Sequence, residues 1–166
     1  MFQIGDAVVY GSEGVCRVTE LQTREFNGQQ MEYYVLTPVY REGSTIFVPC
    51  ANETLLRRMH SVLGQDEAKA FIAQLPNLES IWINHENERK QVYRTILAEA
   101  DRVGAARIVR TLYLHREKLN ASGKKMHMSD ERYFADAQRM LFDELAFVLE
   151  LEREQVLPLL MKTIEE

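Results

Sequence analysis

The side chains able to do chemistry in this 166-residue chain are few and scattered. None of its four histidines, His60, His85, His115 and His127, has a nucleophile or carboxylate partner in sequence that would suggest a triad. His115 sits among charged residues late in a helical stretch, where a surface imidazole near the negative end of the helix dipole is expected. The two cysteines, Cys16 and Cys50, lack metal-ligand spacing. Reduced thiols packed in strands are therefore expected, and no metal site, since zinc would have to recruit His60 or another remote histidine. "GSEG" at 11–14 lies between two strands and precedes no helix, so it is not a phosphate loop. HExxH, GxSxG and CxxC are all absent. The pattern points away from an enzyme, a cofactor or a small-molecule substrate, and toward a binding module. One side chain then stands apart. The only tryptophan, Trp82, lies in "IWINHENERKQVY", beside Asn84, His85, Glu86, Asn87, Glu88, Arg89 and Lys90 rather than in an apolar run. Two roles are open to it: buried packing between domains, or contact with a partner.

The elements that must position these residues fall into two kinds. Up to about His60, "AVVYG", "VCRVTELQTREF", "QMEYYVLTPVY" and "STIFVPC" are rich in Val, Tyr, Phe, Ile and Thr, with turn residues between them. Asn27-Gly28 tolerates the positive φ of a type I′ turn and predicts a tight hairpin. Four or five short strands, the last supplied by Leu55-Leu56-Arg57, would make a small curled sheet or partly open barrel. After His60 the apolar period becomes helical. "GQDEAKAFIAQL" carries Ala68, Phe71, Ile72 and Leu75 on one side and ends at Pro76. A helix is predicted from about Arg89 to Arg102. Gly104 would separate it from another whose stripe is Ile108, Leu112 and Leu119 with Val109 and Tyr113. A long helix from Ser129, with the Ser129 hydroxyl as cap, would bury Phe134, Ala137, Leu141, Leu145 and Val148. Pro158 predicts a kink, or a start near Leu157, in the last helix. The expected fold class is α+β, with a β domain at residues 1–60 and an all-α helical domain at 61–166.

The formal net charge of −5 argues against indiscriminate coating of nucleic acid. Yet residues 89–125 hold ten cations against three carboxylates, while residues 130–166 hold ten carboxylates against four cations. Either the surface is polarised or the two sets intermix in space. No apolar run is long enough for a membrane span, and "MFQIGDAVVY" does not look like a signal peptide, so a cytoplasmic protein is expected.

Four stretches carry a family likeness. "IGDAVVYGSEGVCRV", "QMEYYVL", "TIFVP" and above all "LYLHREKLNASGKKMHMSDERYFADAQRMLFDELAFVLEL" resemble the CarD-like (CdnL) bacterial transcription regulators over nearly the whole chain. The N-terminal part alone also resembles the polymerase-binding domain of the transcription-repair coupling factor, whose helicase motor motifs do not occur in this sequence. The resemblance implies a Tudor-like N-terminal barrel that binds the β subunit of RNA polymerase. It also implies a helical domain that meets promoter DNA at the upstream edge of the transcription bubble, where a tryptophan wedges into the minor groove. Trp82 would be that wedge, with Asn84, Arg89, Lys90, Lys124 and Lys125 as DNA contacts. Arg24, Phe47 and Pro49 would meet the polymerase. An apolar side chain against an opening base step stabilises unstacked DNA, and nearby cations hold phosphates. Phe47 stands where some members have a basic residue, so the contact would be more apolar, or Phe47 would belong to the barrel core. Glu86, Asn87 and Glu88 replace a stretch often richer in arginine, which weakens the local grip on phosphate. Tethering to polymerase raises the effective concentration of DNA, so weak, non-sequence-specific binding would suffice and would place the protein at the nucleoid. The competing class is an adaptor on polymerase that recruits another factor without touching DNA, with Trp82 as an interface anchor.

Overall fold

A computed structural model describes residues 1–165. Five antiparallel strands, β1 (Ala7–Tyr10), β2 (Val15–Phe26), β3 (Gln29–Pro38), β4 (Ile46–Pro49) and β5 (Met59–Ser61), form one sheet in the order β4-β3-β2-β1-β5. The β2–β3 hairpin pairs from Cys16 with Pro38 to Phe26 with Gln29. Its two loop residues, Asn27 at φ 51° and Gly28 at φ 78°, have the positive φ that a two-residue turn of this hand requires. β4 and β5 are the edges of this sheet, so the predicted barrel is not closed. The predicted last strand is also displaced. Residues 55–57 lie in and just after a short helix, α1 (Glu53–Leu56), because the Asn52 carboxamide oxygen accepts the Leu55 N–H at 3.1 Å and caps it. β5 follows and pairs with β1.

The sheet buries residues on both faces, because successive side chains of a strand alternate, and a register shift between Val18 and Glu20 reverses the facing of β2 beyond that point. Val8, Cys16, Val18, Tyr34, Leu36 and Val48 bury one face, with Leu55 and Leu56 of α1 against it. On the other face Val9 and Val15 join the helical core. Farther along that same face, Glu20, Gln22 and Arg24 of β2 share a side with Tyr33, Phe47 and Pro49. There no helix covers them.

The helices are α2 (Gln65–Gln74), α3 (Glu86–Ala98), α4 (Arg102–Ala121), α5 (Met128–Leu149) and α6 (Arg153–Glu165). α2 keeps its expected stripe and passes into a single turn of 3-10 helix at Leu75–Asn77. α3 ends earlier than its periodicity predicts, at a break where Ala100 takes φ 52°. The interruption is therefore at 99–101 and not at Gly104. Asp101 caps α4 by accepting the Gly104 N–H at 2.9 Å, and a Cβ on Gly104 would lie 2.5 Å from Ile96 Cγ2. α5 starts at Met128 with His127 in the cap position, so Ser129 is in its first turn, 3.5 Å from Glu86 Oε1, rather than capping. α6 begins at Arg153 and carries Pro158 inside it, four residues beyond Glu154, which excludes a start near Leu157.

α5 is the central helix. Phe134, Ala137, Leu141, Leu145 and Val148 are buried as the period requires, but burial runs unbroken from Met140 to Ala146 and includes Asp143 and Glu144. These two carboxylates serve the junction with the sheet. Glu144 takes Arg102 at 2.6 and 2.8 Å and the Leu63 N–H at 3.0 Å, while the same guanidinium donates to the Ser61 carbonyl. Asp143 lies against Gly14, where an added Cβ would be 2.5 Å from Oδ2. "GSEG" is thus a docking turn, bare of side chain where it meets α5. Cys16 is buried in β2; Cys50, just beyond β4, is half-buried; both thiols are free. Among the described residues no helix is long and apolar enough to cross a membrane.

Candidate nucleic-acid and polymerase interfaces

The Trp82 loop is held from beneath along its backbone. The Ile81 N–H donates to Thr111 Oγ1 at 2.9 Å, and the buried Tyr93 hydroxyl donates to the Ile81 carbonyl at 2.8 Å. Arg89 Nη1 donates to the Ile83 carbonyl at 2.8 Å. Trp82 sits between these fixed points. Its indole N–H donates to Asn84 Oδ1 at 2.9 Å, its ring stacks on His115 at 4.1 Å between centroids, and the Arg89 guanidinium carbon lies 4.5 Å from its centroid. Aromatic stacking and a cation over an indole each contribute roughly 0.5–1.5 kcal/mol. Even so, Trp82 is 39% exposed. Its ring partners all come from the helical part of the chain, so the indole is held in place at the surface and does not pack between sheet and helices.

Burial sets the chemistry around it. Tyr93 is pushed up to about 12 by burial, so its hydroxyl stays a donor to Ile81 throughout the physiological range. His115 is lowered by burial, with Arg89 adding to that and Asp130 opposing it, which favours a neutral ring against the indole. The expected solvent-facing histidine is instead the stacking partner of Trp82.

The candidate cations separate sharply. Arg89 is only 3% exposed and meets Asp130 through two parallel bonds, Nε to Oδ1 at 2.9 Å and Nη2 to Oδ2 at 3.1 Å. It faces inward, so its place is beneath the loop. Asn84 likewise spends its oxygen on the indole N–H. Lys90 is half-exposed and 3.3 Å from Glu86, one turn before it, and holds that carboxyl below its usual range. Lys124 and Lys125 stand on the exposed loop between α4 and α5 with no ion-pair partner among the described residues. Much of the basic segment is taken up internally. Arg89 and Arg102 cross to Asp130 and Glu144 of the acidic segment, Arg107 reaches the Glu79 carbonyl, and Arg110 reaches the Leu78 carbonyl. Two ion pairs thus join the basic segment to the acidic one.

On the uncovered sheet face Arg24 donates through Nε to Gln22 at 3.0 Å, and its guanidinium carbon lies 4.2 Å above the Phe47 ring. β3 separates β2 from β4, but Arg24 and Phe47 both point to the same side, with half-buried Pro49 two residues along. Phe47 is outside the sheet core and 39% exposed, and Phe26 at the hairpin end is also exposed. β4 is an edge strand, so its outer backbone groups border this apolar and cationic patch.

Two family models match the chain. Residues 2–60 match the CarD-like/TRCF RID domain, and residues 74–161 match the CarD C-terminal domain. The chain belongs to the CarD-like family. CarD-like domains belong to RNA polymerase-associated transcription regulators, and they are regulatory, not enzymatic. The sheet fits the Tudor-like class of the first domain, as an open sheet. Arg24, Phe47 and Pro49 fall within the first CarD-like match, and Trp82, Asn84, Arg89, Lys90, Lys124 and Lys125 within the second.

Sequence reasoning missed the residues that hold the Trp82 loop: Thr111, Tyr93, His115 and Asp130. Thr111 and Tyr93 left a faint signal, each a polar-tipped side chain on the apolar stripe of a helix. Asp130 left none, because its partner is 41 positions away.

Proposed function

We propose that this protein is tethered to RNA polymerase and stabilises the promoter open complex. Residues 1–60 grip the β subunit through the Arg24, Phe47 and Pro49 face of the sheet, and residues 61–166 present Trp82 to the upstream edge of the bubble. The observation that supports this best is the Trp82 loop, pinned at Ile81 and Ile83 while the indole remains 39% exposed. A side chain fixed before it meets its target loses little conformational freedom on contact. With its ring against His115 and Arg89, the indole offers a flat, held edge to an opening base step in the minor groove. Lys90, Lys124 and Lys125 supply weak, salt-sensitive, sequence-independent phosphate contacts. Arg89 and Asn84 position the wedge and do not touch DNA. Tethering makes that weak affinity sufficient, and the protein works in the cytoplasm, on the nucleoid, wherever polymerase is.

The test is the lifetime of the open complex on a fluorescently labelled promoter with wild-type protein and with Trp82→Ala, alongside binding of both to the β subunit. Longer lifetime with wild type alone, at equal β-subunit binding, supports the wedge. Equal lifetimes, or indifference to removal of DNA upstream of the bubble, would put the adaptor reading in its place.

A further inference from the structure

A concave feature lies where the 11–13 turn meets α3 and α5. It is a polar groove of about 390 Å3. Arg58 enters it from the segment before β5, Arg94 from α3 and Arg132 from α5. None of these three has a carboxylate partner among the described residues. The groove's two acids are engaged elsewhere, Glu13 with Arg41 and Asp136 with Arg139. Guanidinium groups cannot lose their charge, so the groove keeps three cations against two carboxylates that are already paired, an excess that favours an anion. The planar guanidinium forks match the oxygen geometry of phosphate. Tyr10, whose hydroxyl lies beside Arg58, and Tyr133 complete the walls with aromatic surface. The volume is within the roughly 300–1,000 Å3 of small-molecule sites.

We infer that this groove binds a phosphate-bearing small molecule of nucleotide size, its phosphates held by Arg58, Arg94 and Arg132. A ligand there would touch both the sheet's docking turn and the two helices, and so would bridge the two parts of the chain. This site is independent of the Trp82 loop and stands whether or not the indole is a wedge.

Calorimetric titration of the full chain with ADP, with pyrophosphate and with a short DNA duplex tests it, using wild type, Arg94→Gln, Arg132→Gln and the double variant. Arg94 and Arg132 are both exposed, so the variants should keep the wild-type melting curve. The expected result is one saturable site for ADP, weakened about tenfold by each substitution, as loss of one charge-assisted bond implies, and lost in the double variant. No saturable binding of ADP or pyrophosphate to wild type, or equal binding by the double variant, would overturn the proposal. Duplex binding that depends on these arginines, with no binding of ADP or pyrophosphate, would also overturn it and assign the groove to the DNA backbone.

Discussion

Replacing Asp130 by asparagine perturbs the Trp82 loop without touching it. Asp130 is fully buried, and both its oxygens accept from Arg89, itself 3% exposed. Asparagine keeps the shape but is neutral, and its NH2 group would face one of the guanidinium N–H groups, donor against donor. Arginine cannot relieve the mismatch by deprotonation, so a buried cation is left with one amide oxygen and the Ile83 carbonyl. Breaking a buried pair costs roughly 3–5 kcal/mol, and because one bond survives, the lower end, about 3 kcal/mol, is expected. With a urea m-value of about 2 kcal/mol per M, the unfolding midpoint should fall by about 1.5 M. Trp82 is the only tryptophan and lies 4.5 Å from the Arg89 guanidinium carbon, so its emission reports both unfolding and local loosening. Acrylamide quenching of the native state should rise in Asp130→Asn. The double variant Arg89→Met with Asp130→Leu should recover most of the stability, since apolar replacement of a whole buried pair is often neutral. It should still be quenched easily, because the Ile83 carbonyl has lost its donor. A loss below about 1 kcal/mol in Asp130→Asn would mean that Arg89 turns out to solvent, and would refute the buried clamp.

Three further outcomes follow from the geometry. Burial raises Asp143 from 3.8 to about 6, against the pull of Arg153, Arg139 and Arg41, and Arg153 Nε at 2.8 Å is too far off axis to hydrogen-bond Oδ1. The folded chain therefore keeps a proton that the unfolded chain loses, so stability should fall by about 3 kcal/mol as pH rises through the window from 3.8 to about 6; Asp143→Asn, followed by urea titration across that range, should abolish the slope. Gly14→Ala should lower the melting temperature by at least about 5 °C, because its Cβ would meet Asp143 Oδ2 at 2.5 Å, whereas Gly28→Ala, also at positive φ but with open space around it, should cost only about 1 kcal/mol; equal melting temperatures would contradict the docking-turn assignment. Phe47→Ala and Arg24→Ala should leave the unfolding free energy from urea titration unchanged within about 0.5 kcal/mol, since both side chains face solvent, while weakening binding to the isolated polymerase β subunit in a pull-down titration.

The sequence by itself determined whatever a few neighbouring residues dictate. Asn27-Gly28 fixed the hairpin because positive φ is a property of those two side chains, and the stripe of α5 followed from apolar spacing alone. It also marked Trp82 as unusual, from the polar company it keeps. Local signals competed at the helix ends, and there sequence reasoning slipped: Asn52 drew residues 53–56 into a helix where apolar residues suggested a strand, and Asp101 moved a helix boundary that Gly104 appeared to mark. Only the tertiary structure decided what each charge does. Arg89 and Lys90 are adjacent in sequence and equally basic, but the α3 surface turns one toward Asp130 and leaves the other half-exposed. A buried arginine persists only when a carboxylate from elsewhere in the chain meets it, and no local pattern reports that meeting. The same holds for His115, Thr111 and Tyr93, which converge on residues 81–83 only once α3 and α4 have packed.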